Sequence, residues 1–225
     1  MNTRSRPPGR RAVTAANLRT RLIDAAERLL AERQPGSITS REIARAAGVS
    51  DGVLYNHFAD KNDLLLTALL RRFTDLVEAF AAGSREPGSG SVVDGVAELV
   101  ERSHALQVAA LPMLANLVGD PPLLQRFMVE IHRPPLGGDV FRRPVVDYLA
   151  AEQSRGRLGT YDPEAAADVL VGAVLMQGLI DVLAHRPAAE SAQRLAAITS
   201  TLLSGLGPTT AGDRPSGTEP DGGTP

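Results

Sequence analysis

The sequence predicts an all-α protein of about nine helices. Over most of the chain, apolar residues recur every three or four positions, which is the spacing of helices with one buried face. Only 4% of the residues are aromatic and none is Trp, so the cores must be built largely from Leu, Ala, Val and Ile, a composition that favours helix. Alternating strand patterns and β-branched runs with hairpin turns do not stand out.

The composition excludes several classes of protein. The 225 residues suffice for one large or two smaller domains. The chain has no cysteine, which rules out disulfides, thiolate metal sites and a cysteine nucleophile. Residues 1–21 lack the apolar segment of a secretory signal, and the most apolar uncharged run, Val169 to Ile180, is shorter than the roughly 20 residues that span a membrane. We therefore expect a cytoplasmic protein that does not enter a membrane.

Positive charge is concentrated near the start of the chain. Residues 1–64 contain eleven Arg and Lys residues against seven Asp and Glu, whereas the remaining residues contain thirteen against nineteen. A basic segment on an acidic body indicates a polyanionic partner for that segment. A solvated, disordered arm would carry the same charges, so charge alone does not decide between the two.

The pattern of helix signals predicts two domains between disordered ends. Residues 1–16, rich in Pro, Gly and Arg, are expected to form a disordered basic arm, and residues 206–225 a disordered tail. Residues 17–63 are assigned to a first helical domain and residues 64–205 to a larger one. After a flexible connection at residues 83–91, the larger domain is predicted to contain helices at about 92–106, 107–119, 121–132, 139–155, 163–185 and 188–204.

The segment from Thr39 to Phe58 has the pattern of a helix-turn-helix motif. Thr39 opens a capping box, which starts a short helix that Gly48 ends. Ser50 is expected to cap a second short helix by accepting hydrogen bonds from its free amides. Leu54 and Phe58 lie four residues apart on one face of that helix and can pack inward. In such a motif the second helix enters the major groove of DNA.

These residues resemble the DNA-binding segment of the TetR family of regulators. The specific pattern is AGVSxGxLYxHFxxKxxL, and it is matched by Ala47, Gly48, Val49, Ser50, Gly52, Leu54, Tyr55, His57, Phe58, Lys61 and Leu64. The similarity covers about residues 17–70. Beyond them, the chain resembles the family only in being helical and of similar size. The resemblance implies a DNA-binding transcriptional regulator, usually a ligand-responsive repressor that binds a near-palindromic operator as a homodimer.

The resemblance also implies contacts with the phosphate backbone. The hydroxyls of Ser40 and Tyr55 are expected to bind phosphates, as are His57 and Lys61. Arg41 is expected to reach a base edge or a phosphate, and guanine is the usual base for such an arginine.

The residues expected deepest in the major groove are Asp51, Gly52 and Val53. Gly52 permits close approach of the backbone, Val53 can contact a thymine methyl group, and Asn56 is a candidate base reader. Val53 stands where many family members have Thr, Ser or Ala. Asp51 is expected to cap the helix. The alternatives are that it contacts a cytosine amino group, or that its negative charge near DNA is tolerated at a cost in binding energy. The predicted DNA contacts are Thr39, Ser40, Arg41, Ser50, Asp51, Gly52, Val53, Tyr55, Asn56, His57 and Lys61.

The larger domain is expected to bind a small-molecule effector. Prolines, among them Pro112, Pro121, Pro122, Pro134 and Pro135, interrupt residues 92–155, and helices broken in this way can pack around a cavity. The resemblance implies an effector pocket here, and such pockets are mostly apolar with a few polar groups. We expect an apolar or amphipathic ligand and no cofactor. The candidate lining residues, each of which would also suit an ordinary core, are Met113, Asn116, Phe127, Met128, Phe141, Tyr148, Met176 and Gln177.

The last two predicted helices are candidates for a dimer interface. Helix 163–185 has a stripe of small and apolar residues with two glycines nearby, and its members are Ala166, Val169, Leu170, Ala173, Val174, Gln177, Ile180 and Ala184. Glycine inside a helix costs about 1 kcal/mol relative to alanine, which close approach of another helix can offset. The resemblance implies that this helix and helix 188–204 pair with their symmetry mates. Packing within one chain would leave the same pattern.

Catalysis and metal binding have little support in the sequence. His104, His132 and His185 lack the paired spacing of metal ligands, and neither a G-x-S-x-G elbow nor a phosphate-binding glycine loop occurs. The main alternative function is a helical interaction or architectural protein that binds DNA without sequence preference through its basic arm. A helical enzyme acting on a small molecule is the second alternative.

Overall fold

The computed structural model describes residues 10–134, 136–137 and 139–205, and the regular structure within these ranges is entirely helical. The elements are α1 (Arg10–Glu32), α2 (Ser40–Ala47), α3 (Asp51–Tyr55), α4 (Lys61–Ala82), α5 (Val92–Val118), α6 (Pro121–Ile131), α7 (Arg143–Ser154), α8 (Pro163–Ala184) and α9 (Ala188–Ser204), with a 3-10 turn at Pro35–Ser37. The predicted fold class, all-α with about nine helices, is confirmed for this part of the chain.

Some helix bounds differ from the prediction. Helix α1 begins at Arg10, within the segment 1–16 that was predicted to be disordered. Residues 1–9 of that arm, and the predicted tail at 206–225, lie outside the described residues. The predicted helices 92–106 and 107–119 form the single helix α5, with Pro112 inside it. A proline removes one backbone hydrogen bond, and the helix continues through the exposed Pro112 with the buried residues Ala110 before it and Leu117 after it.

Short polar side chains begin most of the longer helices. Each accepts a hydrogen bond from a backbone amide in the first turn that has no partner within the helix. These caps are Asp60 for α4, Ser91 for α5, Asp120 for α6 and Asp162 for α8.

The buried side chains form two cores that do not follow the predicted domains 17–63 and 64–205. The first core joins α1, α2 and α3 to the first part of α4, the end of α5 and α6, and Leu54, Leu65 and Phe127 belong to it. Phe73 of α4 packs edge-to-face against Phe127, with ring centroids 5.6 Å apart. The second core joins the end of α4, at Phe80, to α5, α7, α8 and α9. The helix-turn-helix segment therefore shares its core with helices of the larger domain.

The connection between α4 and α5 is attached to α7. The backbone amide of Gly88 donates to the carboxylate of Glu152 at 2.9 Å, and Arg157 donates to the carbonyl of Gly90 at 2.5 Å. Glu152 is fully buried and lies 3.3 Å from the guanidinium of Arg157. A buried carboxylate requires such partners. The segment 83–91, predicted as a flexible connection, is thus held by specific polar contacts.

Helix α8 is the one helix in the described ranges that is long and apolar enough to cross a membrane. Its mean hydropathy reaches 1.8 in the most apolar window, of which 33% is buried. Buried Gln177 donates to Asp181 at 2.6 Å, and Asp181 also lies 2.8 Å from the ring of His104 on α5. The contact with His104 joins α8 to α5. A core helix of a soluble protein passes the same test of length and composition.

Candidate nucleic-acid interface

The capping box at the start of α2 forms as the sequence predicts. The hydroxyl of Thr39 accepts from the amide of Glu42 at 3.3 Å, and the Glu42 carboxylate accepts from the amide of Thr39 at 2.9 Å. Arg33 at the end of α1 also donates to Glu42, at 3.0 Å. This bond, followed by those from Thr39, lowers the pKa of Glu42 to about 2. Glu42 is therefore ionised at neutral pH and fixes the start of α2 to α1.

The turn between α2 and α3 depends on Gly48, which adopts a left-handed conformation with φ 66°. Its neighbour Val49 donates from its amide to the carbonyl of Ala44 at 2.9 Å and packs against the first core. Arg21 of α1 donates to the carbonyl of Ala47 at 2.5 Å. A Cβ atom at Gly48 would lie 2.9 Å from the Arg21 guanidinium. The end of the flexible Arg21 side chain can shift, so residue 48 requires glycine chiefly for its conformational freedom.

Helix α3 contains only five residues and is held by side chains on its inner face. Leu54 is fully buried, and Phe58, just after the helix, is 4% exposed. Ser50 has the extended backbone of an N-cap, but its side chain makes no capping hydrogen bond, contrary to the sequence-based expectation. The Asp51 carboxylate faces the Arg41 guanidinium at 3.4 Å. Packing of Leu54 and Phe58 orients α3, with no contribution from a capping side chain at Ser50.

The outer face of α2 and α3 brings Tyr55 and Ser40 together. The Tyr55 side chain is exposed, and its hydroxyl donates to the Ser40 hydroxyl at 3.2 Å. Two hydroxyls from separate helices therefore converge at one point on the surface. The Arg41 side chain is 87% exposed, and its ion pair with Asp51 is open to solvent, where such pairs contribute little to stability. Arg41 can therefore leave this pair at small cost.

The eleven predicted DNA contacts all lie on the segment from Thr39 to the start of α4, but they differ in exposure. Val53 is half-buried and packs partly against the first core. The exposed residues are Thr39, Arg41, Ser50, Gly52, Tyr55 and Asn56, and the half-buried ones are Ser40, Asp51, Val53, His57 and Lys61.

Lys61 at the start of α4 is partly occupied by backbone carbonyls. Its ammonium donates to the carbonyl of Ile38 at 2.8 Å and lies 3.4 Å from that of Pro35. An ammonium group has three donors, so one is left for another acceptor. The contact between Lys61 and a DNA phosphate stays a prediction.

Sequence reasoning missed the arginines that join α1 to α2. Arg21 donates to Ala47, and Arg28 donates to the carbonyl of Ala46 at 3.3 Å. Both carbonyls lie at the C-terminal end of α2, where cations are favoured by the helix dipole. Arg21 and Arg28 are seven residues apart, which is about two helical turns, so both lie on one face of α1. This spacing is the feature of the sequence from which their shared contact with α2 could have been predicted.

The eight predicted pocket residues do not line a common cavity. Met113 and Asn116 line a cleft of about 430 Å³ between α1, α4 and α5. Phe127 and Tyr148 are buried in the first and second cores respectively. Gln177 is buried and bonds to Asp181. The other three are Phe141, which packs between the cores and is partly buried, and Met128 and Met176, which are exposed on the surfaces of α6 and α8.

A protein-family model supports the assignment of the helix-turn-helix segment. The model of the bacterial regulatory proteins of the tetR family matches residues 22–68, which run from α1 into α4. A transcriptional regulator of the helix-turn-helix type from Mycobacterium tuberculosis (strain CDC 1551 / Oshkosh), itself uncharacterised, is 36% identical over 143 residues. The match covers 64% of this chain and 64% of that relative, just under two thirds of its length.

A second relative extends the match further. The helix-turn-helix transcriptional regulator BetI of Escherichia coli O157:H7 is 31% identical over 153 residues, which make up 64% of this chain and 78% of BetI. The chain belongs to the TetR family. This is a family of transcriptional regulators, and the sequence-based assignment to it is confirmed.

Solved structures of transcriptional regulators have the same fold. A TetR-family regulator from Mesorhizobium loti is similar with a TM-score of 0.69 at 21% identity, over 84% of this chain and 96% of that one. FadR from Bacillus subtilis, solved with stearoyl-CoA, has a TM-score of 0.59 at 18% identity, over 84% and 99%. A regulator from Saccharomonospora viridis, solved with choline, has a TM-score of 0.63 at 18% identity, over 83% and 96%.

The geometry of the turn predicts opposite effects for two glycines. Gly48→Ala is expected to lower the free energy of unfolding by about 1–2 kcal/mol, because alanine is strained in the left-handed region. Gly52→Ala is the matched control: Gly52 lies in α3, and a Cβ there would meet nothing within 4 Å. It should be neutral or stabilise by up to about 1 kcal/mol. Urea unfolding measures both, and equal stability of the two variants would contradict the assigned turn.

Proposed function

We propose that this TetR-family chain is a sequence-specific DNA-binding regulator that presents α3 to the major groove. The observation that carries the proposal is the division of α3 into two sides. Leu54 is fully buried, while Gly52, Tyr55 and Asn56 face solvent. The helix therefore has a fixed inner side and a free outer side of small and polar groups. That outer side suits contacts with base edges and the flanking phosphates.

The residues around α3 fall into two groups: some position the helix on the phosphate backbone, and others contact base edges. The Tyr55 hydroxyl donates to Ser40 in the free protein, and it can turn its one proton to a phosphate oxygen to which Ser40 also donates. Such a contact would fix the register of the helix in the groove. Gly52 lets the backbone approach the base edges. Arg41 can exchange its exposed pair with Asp51 for the two acceptors of a guanine.

We propose that the functional form is a homodimer built on α8 and α9. Val169, Met176 and Leu183 on α8 are 59%, 58% and 72% exposed and follow one another at intervals of seven residues, so they form one apolar stripe. Gly172 lies between the first two with open space around it. The stripe predicted from sequence shares Val169 with this one, but its members Leu170, Val174 and Gln177 are buried within the chain. A two-fold dimer would place two α3 helices on successive major grooves, about 34 Å apart.

The regulatory part of the proposal is that a small-molecule effector releases the DNA. Stearoyl-CoA and choline, the ligands in two structures of the same fold, differ in charge and size. That both neighbours hold a small molecule supports the presence of an effector in this chain. Because the two ligands differ, they do not indicate its chemistry. We propose that the dimer acts in the cytoplasm and represses transcription by occupying a near-palindromic operator. Binding of the effector to the form that does not hold DNA shifts the population away from the operator.

The proposal is tested by selecting duplexes from a random pool with the purified full-length chain at about 150 mM salt. A specific regulator should enrich one near-palindromic sequence and retain it in the presence of excess random DNA. The alternative, an architectural protein that binds through its basic arm, should lose its DNA steeply with salt and enrich no sequence. Failure to enrich a sequence at any salt concentration would overturn the proposed function.

Variants of the outer face should separate phosphate contacts from base contacts. Tyr55→Phe should weaken binding to all sequences by about tenfold, because one hydrogen bond to a charged oxygen is lost. Arg41→Ala should also relax the preference at one base position. Tyr161→Phe is the control, because this hydroxyl donates to Leu149 far from α3. Titrations of fluorescent duplexes give the affinities, and unchanged binding by both outer-face variants would refute the assignment.

The α8 stripe predicts the oligomeric state. The double variant Met176→Glu and Leu183→Glu should convert the dimer to a monomer, because it buries carboxylates in an apolar interface. The double variant should also bind the full palindrome more weakly, since each monomer contacts only one half-site. Val129→Glu is the control, because Val129 is 47% exposed on α6, outside the stripe. Light scattering after size exclusion measures the mass, and a monomeric parent protein or a dimeric double variant would refute the interface.

A further inference from the structure

A cleft of about 430 Å³ lies where α1 meets α4 and α5. Its walls come from the helix that supports the helix-turn-helix segment and from two helices of the larger domain. The volume falls in the range of small-molecule sites, about 300–1,000 Å³. The cleft opens to solvent on one side, so a ligand can enter without unfolding of a helix.

Two arginines give the cleft a positive end. Arg28 of α1 and Arg72 of α4 both line it, and both are exposed. Within the described ranges, neither has a carboxylate within salt-bridge distance. Glu27 also lines the cleft, but its carboxylate accepts bonds from Arg71 at 2.6 and 2.5 Å. Arg71 also pairs with Asp24 at 2.5 Å, so two carboxylates share this one arginine. With Arg28 and Arg72, three arginines stand against two carboxylates, and the local charge stays positive.

The rest of the lining is mainly apolar. Leu69 and Pro35 are buried at the cleft, and Leu30, Pro112 and Met113 expose part of their side chains to it. Asn116 adds one amide that can donate or accept. The side chain of a methionine is flexible and can adapt to ligands of different shape. The lining thus combines an apolar surface with a cationic end.

We propose that this cleft binds an amphipathic organic anion, with its carboxylate between Arg28 and Arg72 and its apolar body against α5. Guanidinium groups form charge-assisted hydrogen bonds to carboxylates, which are stronger than neutral ones. The apolar walls favour a ligand with a hydrocarbon part over a small inorganic ion. Cations of the same size are disfavoured, because they would lie beside two unneutralised arginines.

The position of Arg28 connects the cleft to the DNA-binding helices. Its guanidinium donates to the Ala46 carbonyl at the end of α2. A carboxylate in the cleft competes for that donor and weakens the link between α1 and α2. Arg21 still holds the neighbouring carbonyl of Ala47, so α2 is loosened on one side rather than released. This regulatory consequence rests on the proposed function, whereas ligand binding does not.

Octanoate is a suitable probe of the site, and its binding can be measured by calorimetry on the full-length chain without DNA. Octyltrimethylammonium, with the same tail and opposite charge, and acetate, with the same charge and no tail, are the ligand controls. Octanoate is expected to bind at least tenfold more tightly than either. Arg72→Gln should weaken octanoate binding about tenfold, and Arg72→Lys should retain most of it.

Two further variants exclude indirect effects. Ala109→Trp should fill the cleft and abolish binding, because Ala109 lines it without bearing charge. Arg133→Gln removes an exposed arginine that pairs with Glu130 on α6, away from the cleft, and should bind octanoate normally. Thermal unfolding of each variant checks its folding. Equal affinity for octanoate and octyltrimethylammonium, or unchanged octanoate affinity in both Arg72→Gln and Ala109→Trp, would overturn the site.

A DNA-binding measurement separates this inference from the proposed function. With the selected duplex, saturating octanoate should weaken DNA binding fivefold or more in the parent chain but not in Arg72→Gln. Octanoate binding that depends on Arg72 in a protein that selects no DNA would support the site and overturn the proposed function. Selective DNA binding without octanoate binding would overturn the site and leave the proposed function intact.

Discussion

The proposed DNA-binding surface depends on the burial of Leu54 and Phe58. Helix α3 has five residues, and a helix of this length is not stable on its own because nucleation costs more than so few hydrogen bonds return. Its shape and direction therefore come from these two side chains in the first core. The residues on the outer face of α3 contribute little to folding, so their identity can be determined by binding.

The same core extends beyond the helix-turn-helix segment. Leu54 and Phe58 share it with Phe73 on α4 and with Phe127 on α6, so side chains pack continuously from α3 into the larger domain. Helix α4 also enters the second core at Phe80. Because α3, α4 and α6 share one core, a displacement of α4 would require side chains packed against α3 to rearrange. The cleft between α1, α4 and α5 is lined in part by residues of α4.

The helix-turn-helix segment could be predicted from sequence because its determinants are local. The capping box at Thr39, the left-handed turn at Gly48 and the inward pair Leu54 and Phe58 each depend on residues close together in the chain. Details set by side-chain conformation were not predictable. Ser50 leaves its capping bond unmade, and Lys61 turns toward the Ile38 carbonyl.

Features that depend on contacts between distant segments were predicted less well. The pocket candidates were chosen by residue type, but whether Met113 faces a cleft or Met176 faces solvent depends on how whole helices pack. Helix α8 is apolar on nearly all sides, so its hydrophobic period does not indicate which stripe is buried in the chain. The buried stripe contains Leu170 and Val174, and the exposed one contains Met176.

Methylation interference on a bound duplex tests most directly whether α3 lies in the major groove. Dimethyl sulfate methylates guanine at N7 in the major groove and adenine at N3 in the minor groove. N7 methylation in two successive major grooves on one side of the duplex should prevent binding, because those edges are the ones that α3 and Arg41 would contact. Binding that tolerates every N7 methyl group, or that is lost only when N3 is methylated, would contradict the account.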